Sequence, residues 1–249
     1  MSAKVLLVTG ASRGIGAAVA KTAAAAGWKV AINYVSNADA ANGVVEEIAA
    51  LGGEAVAIRA DVSREEDILA MFAAVDDRFG RLDGLVNNAG VVDRKARVDE
   101  ISAERLVRLM QTNVIGPILC AREAVKRMST LHGGNGGAIV NVSSIAAVLG
   151  SAGEYVDYAA SKGAIDSFTI GLAREVAGEN IRVNAVRPGI IDTEIHASGG
   201  QPDRVAQFRS LVPLQREGAA QEVANAVVWL LSDHSSYSTG AILNVSGGR

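Results

Sequence analysis

Short apolar runs alternate with helical patterns along the whole chain, and this alternation strongly constrains the fold. The apolar runs predict strands at residues 5–8, 29–34, 55–59, 82–87, 138–142, 181–187 and 241–245. Helical patterns occur between them, at residues 14–26, 39–51, 63–79, 103–129, 158–177 and 222–231. Continuous Val, Ile and Leu strands separated by helices indicate a parallel sheet buried on both faces. Because crossover connections are right-handed, we expect an α/β fold with a doubly wound, mostly parallel seven-stranded sheet flanked by helices on both faces.

Length and composition favour one domain and argue against several classes of function. The 249 residues show no linker-like shift in composition, so we expect one domain over residues 1–249. A net charge of −3 and 4% aromatic residues argue against nucleic-acid binding. The single cysteine, Cys120, excludes an internal disulfide, and three scattered histidines argue against a metal site. No apolar run reaches the roughly 18 residues of a membrane-spanning helix, so we expect no membrane partner and a cytoplasmic location.

A glycine-punctuated turn joins the first predicted strand to the first predicted helix. Residues 9–16 read Thr-Gly-Ala-Ser-Arg-Gly-Ile-Gly. Glycine lets the backbone approach a pyrophosphate closely, and the helix N-terminus presents unpaired N–H groups to it. The turn therefore predicts a phosphate site, although any tight strand–helix turn can also require glycine. The residues assigned to the site are Gly10, Ser12, Arg13, Gly14, Ile15 and Gly16.

The end of the second predicted strand bears on the choice of cofactor. NAD-binding folds usually place a carboxylate there, which accepts hydrogen bonds from the ribose. Residues 32–37 read Ile-Asn-Tyr-Val-Ser-Asn, and the first acid is Asp39. This pattern, with Arg13 in the preceding turn, favours NADP(H) over NAD(H); the alternative for Arg13 is a solvated surface role. The cofactor contacts expected here are Asn33, Tyr34 and Ser36.

Two side chains four residues apart form a candidate reactive pair. Tyr158 and Lys162 share one face of a predicted helix. A phenol has an ordinary pKa of about 10, and a nearby ammonium group lowers that pKa, so Tyr158 can serve as an acid or base. Ser144 follows a predicted strand at the sheet edge where ligands bind. Asn113 is a poor helix former inside a long helical stretch. Singly, these residues also fit surface neighbours, a helix cap or a tolerated Asn.

Several short segments match one family pattern in order and spacing. They are Thr9-Gly10-x-x-x-Gly14-x-Gly16, Asp61-Val62, Asn87-Asn88-Ala89-Gly90, Asn113, Ser144, Tyr158-x-x-x-Lys162 and Pro188-Gly189-x-Ile191-x-Thr193. With these segments the chain resembles a classical short-chain dehydrogenase/reductase along its full length. The resemblance implies a Rossmann fold. It is strongest to the NADP-dependent branch that includes 3-oxoacyl-ACP reductases and glucose 1-dehydrogenase-like oxidoreductases.

The resemblance implies hydride transfer between NADP(H) and a small-molecule carbonyl/alcohol substrate. It makes Tyr158 the general acid or base, with Lys162 lowering its pKa and binding the nicotinamide ribose. Ser144 would orient the carbonyl, and Asn113 would hold a water of a proton relay. The remaining implied cofactor contacts are Asp61 and Val62 at the adenine, Asn88, Ala89 and Gly90 at the adenosine ribose, and Pro188, Gly189, Ile191 and Thr193 at the nicotinamide. A homotetramer is also implied, with a homodimer as the alternative.

Three details refine this assignment. Ser144 is preferred to Ser143 because the family uses the second serine of such a pair, although its spacing of fourteen to Tyr158 is one longer than usual. Tyr155 has Ala159 rather than a cation four residues later, so it is expected to line the substrate pocket or pack. Residues 190–217 correspond to the family's substrate lid and include His196, Gly199, Gly200, Arg204, Gln207 and Phe208. A non-catalytic dinucleotide-binding sensor or scaffold is the alternative function.

Overall fold

Parallel strands organise the molecule, as the alternating pattern predicts. A computed structural model describes residues 3–193 and 207–249. The strands are β1 (Val5–Val8), β2 (Lys29–Tyr34), β3 (Ala55–Arg59), β4 (Gly84–Asn87), β5 (Gly137–Val142), β6 (Ile181–Pro188), β7 (Ile191–Asp192), β8 (Gly218–Ala219) and β9 (Ile242–Val245). The seven-stranded main sheet has the order β3-β2-β1-β4-β5-β6-β9, and its neighbouring strands are parallel. Strands β7 and β8 pair in a second, short sheet.

Helices connect the strands and cover both faces of the main sheet. They are α1 (Gly14–Ala25), α2 (Ala38–Ala50), α3 (Glu65–Phe79), α4 (Ala103–Met110), α5 (Gly116–Met128), α6 (Ala146–Leu149), α7 (Val156–Val176) and α8 (Ala220–Leu231). Helices α1, α2 and α8 contribute to one hydrophobic cluster, and α3, α5 and α7 contribute to the other. The predicted doubly wound α/β Rossmann fold is therefore confirmed.

The side chains of β1 show why the sheet needs helices on both faces. Leu6 and Val8 belong to the cluster that includes α1, whereas Val5 and Leu7 belong to the cluster that includes α3. All four are buried. Because successive side chains of a strand point to opposite faces, a strand that is apolar at every position is stable only between two layers of helices.

The helix predicted over residues 103–129 is interrupted. A π-helical turn (Gln111–Ile115) separates α4 from α5, and Asn113 is fully buried within it. Such turns are rare and frequently occur at functional sites. The poor helix propensity of Asn113 therefore did mark a break in the helical geometry, although the chain continues in the same direction.

Ser63, with Glu66 three residues later, has the sequence pattern of a capping box, which predicts that Ser63 caps the third helix. The structure shows that this prediction is wrong. The Oγ of Ser63 donates to Oδ1 of Asp61 at 2.7 Å, and its backbone N–H donates to the same oxygen at 2.9 Å. Helix α3 begins at Glu65, and its N-cap, Arg64, makes no side-chain capping bond. Ser63 is therefore bonded to the carboxylate of Asp61, in a turn that precedes the helix.

Cys120 lies in α5 and is fully buried, as expected for a small hydrophobic side chain. Burial raises the pKa of its thiol to about 12.

Among residues 3–193 and 207–249, no helix is long and apolar enough to cross a membrane. In the same ranges, no group of three or more His, Cys, Asp or Glu side chains could hold a metal ion.

Candidate active site

A cavity opens where the carboxyl ends of the central strands meet. Its volume is about 730 Å³, within the range typical of small-molecule sites. Strand β5 leads into it through Ser144, and α7 places Tyr158 and Lys162 in its wall. The predicted site residues that line it are Ile15, Asn88, Gly90, Ser144, Tyr158, Lys162, Pro188, Gly189, Ile191 and Thr193.

The predicted phosphate loop connects β1 to α1 and packs tightly against the end of β4. Gly10 and Gly14 have φ values of +62° and +55°, which L side chains rarely adopt. A Cβ on Gly16 would lie 2.5 Å from the carbonyl oxygen of Gly10 and 2.6 Å from Nδ2 of Asn88. Glycine at these three positions is therefore required by the loop itself.

Asn88 and Ala89 fasten this loop to β4. The amide nitrogen Nδ2 of Asn88 donates to the carbonyls of Thr9 at 2.8 Å and Gly10 at 3.0 Å. The backbone N–H groups of Asn88 and Ala89 both donate to Oγ1 of Thr9 at 3.0 Å. The segments that the sequence assigns to the pyrophosphate and to the adenosine ribose are thus joined by hydrogen bonds into one surface.

Asn33 supports the loop from below. Its Oδ1 accepts the N–H of Gly10 at 3.1 Å, and its Nδ2 donates to the carbonyl of Ala60 at 2.9 Å. The side chain is fully buried, so it offers no surface to a cofactor. This corrects the predicted direct contact: Asn33 supports the loop of the predicted phosphate site and does not face it.

The start of α1 fits a pyrophosphate. Its N-cap is Arg13, in extended backbone, and no side chain makes a capping bond there. The first turn also carries no acidic residue. The N–H groups and the positive end of the helix dipole thus face the loop surface with no carboxylate in the helix's own first turn to compensate them, which suits an anionic ligand.

Arg59 is a cation near the end of β2 that the sequence analysis missed. It ends β3, pairs in register with Tyr34, and donates from Nε to the carbonyl of Val35 at 3.1 Å. Ser36 follows and is exposed. No local motif marks Arg59, because its position beside β2 depends on the register of the two strands.

Asp61 and Val62 continue from β3 along the same sheet edge. Asp61 is half-buried, and its backbone N–H donates to Oδ2 of Asp67 at 2.8 Å. Val62 is buried, and its carbonyl would lie 2.3 Å from a Cβ on Gly116. These contacts fix the turn between β3 and α3 against the start of α5.

Tyr158 and Lys162 lie on the cavity side of α7. The Nζ of Lys162 is 5.7 Å from the centroid of the Tyr158 ring and donates to the carbonyl of Val142 at 2.8 Å. Burial lowers the pKa of Lys162 to about 8, and the carboxylate of Asp166 opposes that shift. A Cβ on Gly90 would lie 3.5 Å from Nζ of Lys162, so the glycine leaves space beside the ammonium group.

The two serines after β5 have different environments. Ser143 is buried, and its Oγ donates to the carbonyl of Lys162 at 3.2 Å. Ser144 is half-buried, lines the cavity, and accepts the N–H of Ala146 at 3.1 Å. Ser144 therefore combines a turn contact, which any serine could make, with a position facing the cavity.

Asn113 has its side chain engaged within the protein. Its Oδ1 accepts the N–H of Val91 at 2.8 Å, and its Nδ2 donates to the carbonyl of Val91 at 2.9 Å and to Oγ of Ser161 at 3.2 Å. The amide thus clamps the segment after β4 onto α7. Both N–H groups of the amide are donated within the protein, so a water held by this side chain could bind only to the second lone pair of Oδ1.

Several cavity residues had no signal in the sequence. Apolar positions after β5 line one side: Ile145, Ala146, Leu149, Ala152 and Gly153. Arg249, the last residue, lines another part, with its guanidinium 5.3 Å from the ring centroid of Phe208. Tyr155 is buried and lines the cavity, so it does both things expected of it.

Part of the predicted lid lies outside the described residues. This applies to His196, Gly199, Gly200 and Arg204. Gln207 is described and exposed.

Comparisons with known proteins agree with this fold. A family model described as enoyl-(acyl carrier protein) reductase matches residues 10–249. An uncharacterized oxidoreductase of Escherichia coli, YgfF, is 55% identical over 98% of this chain and 99% of its own. A 3-oxoacyl-(acyl-carrier-protein) reductase of Synechocystis is 38% identical over 100% of this chain and 97% of its own. A solved short-chain dehydrogenase from Burkholderia cenocepacia, in complex with NADP, aligns with a TM-score of 0.90 and 36% identity, covering 98% of this chain and 97% of its own.

The fold, the site and these relatives define an oxidoreductase that acts on CH–OH and C=O groups. The chain belongs to the short-chain dehydrogenase/reductase family.

Proposed function

We propose that this protein interconverts a carbonyl compound and its alcohol with NADP(H), using Tyr158 as the general acid or base. The observation that carries the proposal is the buried ammonium group of Lys162, 5.7 Å from the Tyr158 ring in the wall of the cavity. A cation at that distance favours the phenolate form of the tyrosine. The phosphate loop opens onto the same cavity through Ile15 and Asn88.

In carbonyl reduction, the bound nicotinamide supplies the hydride for the carbonyl carbon. Tyr158 donates its hydroxyl proton to the carbonyl oxygen, so that C=O becomes CH–OH. Lys162, held by the carbonyl of Val142, stabilises the phenolate that remains. Ser144, at the cavity surface, orients the carbonyl oxygen toward Tyr158. In alcohol oxidation, the phenolate of Tyr158 accepts the proton.

The preference for NADP(H) rests on charge near the end of β2. Arg13 and Arg59 are cations, and Tyr34 stands where an NAD-binding fold would place a carboxylate. Arg59 is held by Val35, directly before the exposed Ser36. A 2′-phosphate would be favoured by both guanidinium groups. The NADP-bound relative from Burkholderia cenocepacia supports the same choice.

The cavity favours a carbonyl substrate with an apolar body. Its wall after β5 contains Ile145, Ala146 and Leu149, and Val92 lies in another part of the lining. Burying these apolar surfaces against an apolar substrate would contribute about 25 cal/mol per Å². The relative from Synechocystis is named for a substrate with a 3-oxoacyl group.

NADPH oxidation over a panel of aliphatic, cyclic and 3-oxoacyl carbonyl compounds tests the proposal. We expect turnover with at least one apolar ketone and a loss of about a thousandfold in kcat for Tyr158→Phe, with NADPH binding retained. Full activity of Tyr158→Phe would contradict the assignment of the acid. NADPH binding without turnover across the panel would instead favour the sensor or scaffold alternative.

The expected homotetramer remains a prediction. Exposed apolar side chains on α4, α5 and the turn between them support an association surface: Leu106, Val107, Ile115 and Ile118. Ile170 on α7 is also exposed. Mass measurement in solution tests the assembly, and a monomer would contradict it. The cytoplasmic location also remains a prediction.

A further inference from the structure

A buried ion pair lies beside Tyr158 and takes no part in the chemistry described above. Arg105, on α4, donates from Nε to Oδ2 of Asp157 at 2.7 Å and from Nη2 to Oδ1 at 3.1 Å. Their side chains are only 11% and 1% exposed. Asp157 is the residue immediately before Tyr158. This two-point geometry fixes the orientation of both groups, as a lysine could not.

The same pair is bonded to the backbone on both sides. Oδ1 of Asp157 also accepts the N–H of Tyr158 at 2.9 Å, in the first turn of α7. The third nitrogen of Arg105, Nη1, donates to the carbonyl of Arg94 at 2.7 Å. The guanidinium thus joins three elements: α4, the segment after β4, and the start of α7.

The segment that Arg105 holds forms part of the cavity wall. Val92 and Lys95 line the cavity. Beyond Arg94, the N–H of Ala96 donates to the carbonyl of Glu154 at 3.0 Å, and Lys95 pairs with the carboxylate of Glu154 at 3.5 Å. Residues 91–97 therefore contact Glu154, just before α7, at two points. Arg105 adds a buried link between the same segment and the first turn of α7.

A buried ion pair is a costly way to gain stability, because both charges must lose their hydration. Apolar side chains of similar volume at these two positions would often give equal stability. What the pair supplies in addition is direction: its hydrogen bonds set the angle of the first turn of α7 relative to the cavity wall. An error of about 1 Å in the position of a reacting group can cost about a hundredfold in rate.

We infer that Arg105 is a positioning residue. Through its bonds to Asp157 and Arg94, it fixes the position of Tyr158 relative to the part of the cavity wall formed by residues 91–97. The inference rests on the proposed function, since it concerns where Tyr158 meets the carbonyl oxygen. It assigns no contact between Arg105 and the substrate or the cofactor.

The test compares Arg105→Gln, Arg105→Lys and Asp157→Asn in the full chain. The matched control is Arg108→Gln, one turn further along α4: its exposed guanidinium also contacts residues 91–97, through Asp93, but in an ion pair at the surface. Thermal unfolding with NADPH first shows which variants are folded at the assay temperature. The measurements are kcat and KM for the best ketone of the panel, Kd for NADPH, and the primary isotope effect with NADPH deuterated at the transferred hydrogen.

We expect Arg105→Gln and Asp157→Asn to lower kcat by about tenfold or more, with a larger isotope effect because chemistry becomes slower. Kd for NADPH should change by less than about threefold, since the phosphate loop lies on other elements. Arg105→Lys keeps the charge but loses the two-point geometry, so its kcat should lie between those of wild type and Arg105→Gln. Arg108→Gln should keep kcat and KM within about twofold.

A buried charge left alone can prevent folding, so the double variant Arg105→Gln/Asp157→Asn provides a neutral pair of similar shape. We expect it to fold and to remain about tenfold slower than wild type. Any folded variant of Arg105 or Asp157 with wild-type kcat and isotope effect would overturn the inference, as would equal losses in kcat and NADPH affinity. Wild-type turnover that does not depend on Tyr158 would instead refute the proposed function, and the inference with it.

Discussion

Asp166, on α7 one helical turn beyond Lys162, forms a largely buried ion pair with Arg187 of β6. Both Nε and Nη2 of Arg187 donate to Oδ2 of Asp166, at 2.9 and 2.8 Å. The other oxygen, Oδ1, is buried and makes no hydrogen bond within the described part of the chain. The same carboxylate raises the pKa of Lys162, against the larger, opposite effect of burial.

Replacing Asp166 should weaken both the fold and the charge of Lys162. Asp166→Asn leaves Arg187 without its anionic partner in a largely buried site, so we expect a loss of about 3 kcal/mol in the free energy of unfolding. The control Glu175→Gln removes an exposed carboxylate from the same helix and should change it by less than about 0.5 kcal/mol. Urea unfolding measures both, and equal stability of the two variants would contradict the role of Asp166.

Lys162 should make stability depend on pH in the alkaline range. Its pKa is about 8 in the folded protein against an ordinary 10.5, because burial penalises the charged form. Between these values the unfolded chain holds more protons than the folded protein, so the free energy of unfolding rises with pH. Below about pH 8 both states are protonated and the penalty of burying the charge is fully present.

Relative to Lys162→Met, we therefore expect wild type to gain about 3 kcal/mol of stability as the pH rises from about 8 to about 10.5. Denaturant unfolding of both proteins across this range measures the difference, in which groups common to the two cancel. A difference that stays constant with pH would show that Lys162 titrates near its ordinary value.

Two guanidinium groups should carry the discrimination between NADPH and NADH. We expect Arg13→Gln and Arg59→Gln each to raise KM for NADPH by about tenfold, since each removes a charge-assisted contact to phosphate. KM for NADH should stay within about twofold, because that cofactor lacks the 2′-phosphate. Arg174→Gln, an exposed position on α7, is the control. Equal increases in KM for NADPH and NADH would show that these two side chains do not contact the 2′-phosphate.

Two glycine-to-alanine changes should differ in their effect on the Kd for NADPH. A Cβ on Gly16 would lie 2.5 Å from the carbonyl oxygen of Gly10, so Gly16→Ala must displace the phosphate loop. We expect Kd for NADPH to rise by about tenfold or more. Gly43 lies within α2, and a Cβ there would meet nothing within 4 Å among the described residues. Gly43→Ala should leave Kd unchanged and add about 0.5–1 kcal/mol of stability. Tight NADPH binding by Gly16→Ala would refute the assigned loop.

Local spacing in the sequence determined the layer architecture and the placement of the candidate reactive pair on one side of a helix. Strands apolar at every position required helices on both faces, as β1 shows through Leu6 and Leu7. Four-residue spacing placed Tyr158 and Lys162 on one side of α7. Such features depend only on the periodicity of a single strand or helix, and the order of residues within that element shows which side chains share a face.

Only the tertiary structure decided which distant groups meet. Asn33 looked like a cofactor contact, yet it is fully buried beneath Gly10 because strands β2 and β3 place its amide against Ala60. Arg59 reaches the end of β2 through strand register, and Arg105 finds Asp157 across a separation of 52 residues. A charged side chain has many possible partners in sequence, and packing and desolvation select one of them. That selection is made by the assembled core, which no local pattern in the chain describes.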